Sequence, residues 1–290
     1  MPSTCQHTAP PRLALVLGSG GVRSIAAVGV ADVLSREGIQ ADLIVGCSSG
    51  ALFGATIAMG LTGNEALRAA TELWSAELTE QRRWRAYVQL IAPKLAGFDS
   101  GFSMRDDSLI RERLERIFGD LRLEDMRTPL RIAATDAASG EPVVLTRGLL
   151  MPALRASMAV PFVFPSVEID GRRLVDGVIS DPLPIAAAPD ADAVVALGFE
   201  GGMPRRIDRV SRLVGQVTTA MINNLQRARL AAVRRSRERL VCIDLGLNRR
   251  IGLWETRAMP YLFKAGLRAT EAKLPEIFAM LERSPQQLAA

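Results

Sequence analysis

The sequence predicts an α/β fold, a three-layer sandwich built around a mainly parallel central sheet. Three observations point there. Short apolar runs at 13–17, 43–45, 130–134, 193–197 and 240–243 have the length and composition of strands. Stretches of helical apolar spacing lie between them, the alternation that puts helices on the faces of a parallel sheet. Two glycine-containing turns, at 18–21 and 46–50, each follow a run directly. Both therefore sit at carboxyl ends of strands, where such sheets gather their ligands.

Taken in order, residues 1–11 read as a flexible, Pro-rich tail. The run at 13–17 is a buried strand that enters Gly18-Ser19-Gly20-Gly21. A helix is expected over 22–36, with Ile25, Val28 and Val33 facing inward and Gly38 ending it. The strand at 43–45 runs straight into G-C-S-S-G, and 51–59 follows as a second, largely buried helix. Residues 64–118 look helical and amphipathic, broken near 93–101. After the strand at 130–134, residues 141–146 return as a hairpin arm or a further strand. Asp170-Gly171 is a hairpin turn between 167–169 and 173–175. Long helical stretches at 207–238 and 258–283 fill the last third. The expected organisation is a tail over 1–11, a core over 13–200, and a mainly helical part over 201–290 packing on it.

Hydrophobic residues at 48% and charged residues at 23% exclude disordered and collagen-like classes. The net charge is +5 and is carried almost entirely by arginine, since the lysines are Lys94, Lys264 and Lys273 alone. Arginines cluster at Arg82-Arg83-Trp84-Arg85, at Arg205-Arg206 and between Arg227 and Arg239. Such faces suit solvent or anionic lipid, and nucleic acid is not expected as a partner. Cys5, Cys47 and Cys242 show neither a disulfide framework nor zinc spacing. The N-terminus lacks the apolar region of a signal peptide. No apolar run is long enough to span a bilayer. A cytoplasmic home is expected, with peripheral contact at the inner membrane surface left open.

The chemistry starts at Ser48. Gly46 and Gly50 flank it in a G-x-S-x-G frame, with an apolar strand before and an apolar helix after. That context forces the central serine into a strained, exposed turn at a helix start. A serine hydroxyl needs a base, yet the only histidine is His7, in the tail. A carboxylate is the natural substitute. Asp176, in L-V-D-G-V, stands at the end of a short apolar strand, and partial desolvation would raise its basicity. Cys47 reads as a small packing residue. The loop G-S-G-G-V-R-S at 18–24 fails the dinucleotide fingerprint, because position 23 is Arg23 rather than glycine, and it lacks the Gly-Lys of a P-loop. Its N–H groups at a helix start suit an oxyanion hole. A nucleotide-binding module and a triad hydrolase using His7 are the rival readings on the residues alone.

The ordered set G-S-G-G-V-R-S, G-C-S-S-G-A, T-D-A-A-S-G-E, R-A-S-M-A-V-P-F-V-F-P-S-V and D-G-R-R-L-V-D-G-V-I-S-D-P-L-P resembles the patatin-like phospholipase family, in its bacterial branch. The similarity covers about residues 13–200. It implies a patatin-like hydrolase core and lipid acyl-ester hydrolysis without metal or cofactor. It also implies a Ser–Asp dyad of Ser48 and Asp176. The oxyanion hole would come from the backbone of Gly20, Gly21 and Val22, with Arg23 beside it. The implied partner is a lipid or fatty-acyl ester. Three positions depart from the family's usual pattern: Ser24 stands for glycine, Ser49 for alanine, and Val178 for glycine or alanine. A catalytically weak or inactive lipid-binding protein with the same fold is therefore the alternative.

Overall fold

A computed structural model describes residues 12–79, 83–95, 97–99, 101–203 and 206–282. The tail over 1–11, with Cys5 and His7, and the cluster residues Arg82 and Arg205 lie outside the described residues.

Strand β1 (Leu13–Leu17) is buried at every position and enters the glycine loop. The helix expected over 22–36 is two elements: a 3-10 turn, Gly21–Ile25, feeds α1 (Ala26–Arg36). Strand β2 (Leu43–Cys47) runs into α2 (Ser49–Ala58), which is buried at nine of its ten positions. Such a helix shows no apolar stripe, because neighbours cover it all round. Next come α3 (Gly63–Leu73), α4 (Trp84–Ile91) and α5 (Ser108–Phe118). Strand β3 (Leu130–Asp136) pairs antiparallel with β4 (Pro142–Leu145).

Helix α6 (Leu150–Met158) has no counterpart in the sequence reading. Nine residues are too few for apolar periodicity to show, and Pro152 reads as a breaker. Here Pro152 sits in the first turn, where its missing N–H costs nothing. Strands β5 (Val167–Ile169) and β6 (Arg172–Asp176) form the expected hairpin. Asp170 and Gly171, at φ 50° and 72°, supply the left-handed turn pair that matches strand twist. Strand β7 (Ala193–Leu197), α7 (Val210–Ser236), β8 (Leu240–Ile243) and α8 (Met259–Glu282) complete the chain.

The eight strands form one sheet in the order β5-β6-β3-β2-β1-β7-β8, with β4 on the other edge of β3. β1, β2, β3, β7 and β8 pair in parallel, and the remaining pairings are antiparallel. Helices α1, α2 and α8 pack over one face, where Leu15, Leu17, Ile44 and Val195 meet Val28, Phe53 and Leu262. On the other face Val16, Val45 and Val194 lie with Leu183, Ile185, Leu230 and Val233. α1 and α8 touch backbone to backbone: a Cβ on Gly29 would stand 2.4 Å from the Phe263 carbonyl oxygen, and one on Gly266 2.2 Å from that of Ala26. Among the described residues no helix is long and apolar enough to cross a membrane.

Register brings two strand ends together. β2 pairs with β3 up to Cys47 opposite Ala133. β6 runs the other way and pairs with β3 from Leu174 opposite Asp136 to Asp176 opposite Ala134. β4 overlaps both on β3, so it holds the far edge and leaves β2 and β6 on the same one. The carboxyl ends of β2 and β6 therefore meet head-on at consecutive positions of β3.

Candidate active site

Ser48 stands at that junction, between β2 and α2. Its backbone sits at φ 55°, ψ −126°, outside the regions that non-glycine residues favour. Strain of this kind costs about 1–3 kcal/mol and persists only where the surroundings over-determine it. They do so here. A Cβ on Gly50 would lie 2.4 Å from the Leu17 carbonyl oxygen, so α2 starts hard against the end of β1. The Ser48 N–H donates to Ser157 Oγ at 2.8 Å, and Ser157 Oγ donates to the Ala133 carbonyl at 2.6 Å. Ser157 was not singled out from sequence. It lies on α6, and only the fold brings it across 109 residues.

The Ser48 hydroxyl donates to Asp176 Oδ2 at 2.7 Å. The other carboxylate oxygen, Oδ1, accepts the Val178 N–H at 2.9 Å. Thr135 Oγ1 holds the Asp176 carbonyl at 2.9 Å and shares a hydrogen bond with Ser180 Oγ. Asp176 is completely buried. Burial pushes its carboxyl up from 3.8 to about 7, against the lowering effect of the Val178 and Ser48 hydrogen bonds. The carboxylate is thus a base poised near neutrality. Val178 acts here through its backbone, and its side chain is only half-buried.

Two neighbours are shifted by the same physics. Burial, with the Asp176 and Asp181 charges, pushes the Cys47 thiol well up, so it stays protonated and unreactive. Asp181 is buried and raised to about 6, with Arg229 partly offsetting the burial. Its Oδ1 has no hydrogen-bond partner among the described residues.

The glycine loop lies against the start of α2. Gly20 N–H donates to Ser49 Oγ at 3.3 Å, a long bond. Ser49 Oγ and Ser24 Oγ are 2.9 Å apart, and Ser24 Oγ donates to the Gly18 carbonyl at 3.1 Å. The two departures at positions 24 and 49 are therefore one unit, a buried serine pair joining loop to helix. Arg23 is a clamp on the loop. Its Nε donates to the Gly20 carbonyl at 3.1 Å, its Nη1 to the Glu200 carbonyl at 2.7 Å, and its guanidinium lies 5.5 Å from the Phe199 ring centre.

Val22 is engaged elsewhere. Its N–H donates at 2.8 Å to the carbonyl of Leu253. Leu253 belongs to a strap after β8, fixed by Trp254, whose ring stacks on Trp74 with centres 4.5 Å apart and planes within 6°. A backbone carbonyl thus already sits on one of the three N–H groups expected to form the oxyanion hole, while Gly21 N–H has no acceptor among the described residues. Nothing in the loop's sequence signals this contact, which spans more than two hundred residues. Among the described residues no cluster of three His, Cys, Asp or Glu side chains is placed to hold a metal ion.

The model of the patatin-like phospholipase family matches residues 15–189. The chain belongs to this family. Among curated relatives, an uncharacterized NTE-family protein of Mycobacterium tuberculosis is 36% identical over 193 residues, 66% of this chain and 50% of its own length. The human patatin-like phospholipase domain-containing protein 6 is 30% identical over 189 residues, 64% of this chain and 13% of that protein. The match thus spans half or less of these relatives. Among solved structures, VipD from Legionella pneumophila aligns over 91% of this chain and 67% of its own at 14% identity, with a TM-score of 0.47. Full-length ExoU of Pseudomonas aeruginosa, solved with SpcU, aligns over 95% and 54% at 13% identity, with a TM-score of 0.45. The mixed, mostly parallel sheet flanked by helices is the patatin fold.

Proposed function

We propose that this protein is a serine esterase of the phospholipase A type, hydrolysing carboxylic esters of phospholipids, lysophospholipids or related lipids through Ser48 and Asp176. The observation that carries the reading is the 2.7 Å hydrogen bond from Ser48 Oγ to a fully buried carboxylate raised to about 7. Asp176 takes the hydroxyl proton as Ser48 Oγ bonds to the ester carbonyl carbon. The Gly21 N–H faces the oxyanion, and the Gly20 N–H joins it by exchanging its long bond to Ser49 Oγ, each such contact being worth about 3 kcal/mol. The N-terminus of α2 adds its dipole. Asp176 then passes the proton to the departing alcohol oxygen, and the acyl group stays on Ser48. Water attacks next and gives its proton to Asp176, which returns it to Ser48 Oγ as the fatty acid leaves. No step requires a metal or cofactor.

A second reading is a weak or inactive lipid-binding protein. The Leu253 carbonyl on Val22 N–H favours it, since that donor is not open to a substrate. Hydrolysis of p-nitrophenyl esters of graded acyl length separates the two. On the first reading the wild type turns over while Ser48→Ala and Asp176→Asn do not. Wild-type turnover no greater than that of Ser48→Ala rejects it in favour of the second.

A further inference from the structure

Two helices turn large apolar side chains outward. α4 buries Ala86, while Trp84, Val88 and Ile91 form a ridge at i, i+4, i+7 that faces solvent, with Trp84 72% and Ile91 86% exposed. Leu95, one further step along, is 92% exposed. α7 is about 40 Å long at 1.5 Å per residue and docks on the body from Thr219 onward, where that side chain packs on Gly201. Asn223 exchanges two hydrogen bonds with the Gly201 backbone, and Leu230 and Val233 pack on the second core. Ahead of that anchor, Val210, Val214, Val217 and Met221 line one side of the projecting half, all more than half exposed.

Both helices hang from the rim that holds Ser48. α4 is tied to it through Arg83 N–H on the Met104 carbonyl and Met104 N–H on the Phe162 carbonyl. Phe162 is five residues past Ser157, the acceptor of Ser48 N–H. α7 is tied to it through Gly201, just past β7, and through Arg250 Nη1 on the Met203 carbonyl at 2.6 Å, from the same strap that reaches Val22. α4 joins the rim through the loop ahead of β5, and α7 joins it past β7, the neighbour of β1, so the two helices reach the rim from different strands.

The charge on these helices has one sign. Residues 83–98 hold Arg83, Arg85 and Lys94 and no carboxylate. The 27 residues of α7 hold five arginines and no carboxylate; the projecting half carries Arg212, paired with Asp208 just ahead of the helix, and the other four lie past the Asn223 anchor, where Arg227 pairs with Glu200. Two copies of such a face would repel each other. A surface that is apolar inside and anionic at its boundary matches both properties.

We infer that α4 and the projecting half of α7 are a pair of membrane-docking elements that seat the rim around Ser48 on an anionic phospholipid surface. The occupant is a lipid bilayer, held by the inserted apolar ridges of both helices and by the cations of the α4 segment at the headgroups. This deepens the hydrolase reading and rests on it for the choice of partner.

The test uses the full chain and vesicles of phosphatidylcholine with and without phosphatidylglycerol. Flotation and tryptophan fluorescence report binding, and a soluble short-chain p-nitrophenyl ester reports the dyad separately. The variants are Val210→Ser/Val214→Ser/Val217→Ser on α7 and Val88→Ser/Ile91→Ser on α4. The wild type is expected to float with anionic vesicles at least tenfold more strongly than with neutral ones, with loss of binding in high salt and a blue shift of tryptophan emission that Trp84→Phe removes, Trp84 being 72% exposed and Trp74 buried. Each variant is expected to lose at least tenfold in binding while its soluble-ester rate stays within twofold of wild type. Wild-type protein that ignores anionic vesicles overturns the inference. So do variants that bind undiminished, or a wild-type dimer that the α7 variant dissociates without any vesicle binding. Vesicle binding that follows the expected pattern in a protein that never cleaves the soluble ester upholds the docking surface and sinks the hydrolase reading instead.

Discussion

Replacing Asp176 by asparagine should stabilise this protein while stopping its chemistry. The carboxyl is fully buried, and burial holds it at about 7 in the folded chain against 3.8 ordinarily. The folded state therefore binds a proton more tightly than the unfolded one. Stability is unaffected below about pH 4, is lost as pH rises from about 4 to about 7, and is level above that. A difference of roughly 3 units at about 1.4 kcal/mol each makes the penalty about 4 kcal/mol at pH 8. Asparagine avoids it, because nothing charged is buried. Its Oδ1 can still accept the Val178 N–H, and its Nδ2 can donate to Ser48 Oγ, so neither partner is orphaned. At about 2 °C or more per kcal/mol for a chain of this size, the variant should melt roughly 5–10 °C above wild type at pH 8. The gap should narrow toward pH 5. Asp181, raised to about 6 by its own burial, is present in both proteins and cancels in the comparison. Ester hydrolysis should fall by at least about a hundredfold, the scale of a lost general base. The reasoning is refuted if the variant melts no higher than wild type at pH 8, or if its advantage is the same at pH 5.

The same carboxylate sets the pH dependence of the wild type: kcat/KM for a soluble ester should fall about tenfold per unit below pH 7, and a flat profile from pH 5 to 8 removes Asp176 as the base. Ser49→Ala should cost about 1 kcal/mol of stability through the lost Ser24 and Gly20 hydrogen bonds. Because it frees the Gly20 N–H for an oxyanion, kcat should hold or rise a few-fold. A tenfold loss in kcat with an unchanged melting temperature shows instead that the hydroxyl itself assists.

The turn at Ser48 was legible because its geometry leaves the sequence little choice. A strand that enters a helix through one strained residue needs small neighbours at fixed offsets, and Gly46 and Gly50 supply them. The strands β1, β2, β3 and β7 were legible as short apolar runs, and the β5–β6 hairpin as Asp170-Gly171. Asp176 came from the absence of a usable histidine and from the family resemblance, since a turn aspartate has no local signature. What stayed hidden was long-range. Ser157 supports Ser48 from a helix too short to read. The serine pair at 24 and 49 appeared as two unrelated departures until the fold placed them 2.9 Å apart. The Leu253 carbonyl reaches Val22 from beside Trp254, which stacks on Trp74, contacts that neither segment announces. α7 read as one long helix, yet nothing in its apolar spacing tells which half meets the body and which half leaves it.

The stretch that carries the family likeness is not the stretch that can stand alone. It ends at residue 189, before β7, yet β7 is the neighbour of β1 along all five residues. A protein cut at that boundary would leave β1, which leads into the glycine loop, as a bare sheet edge open to pairing with other chains. It would also strip α8 from α1, where Gly29 and Gly266 let the two backbones meet. Grafting or transplanting this unit therefore means moving everything through α8.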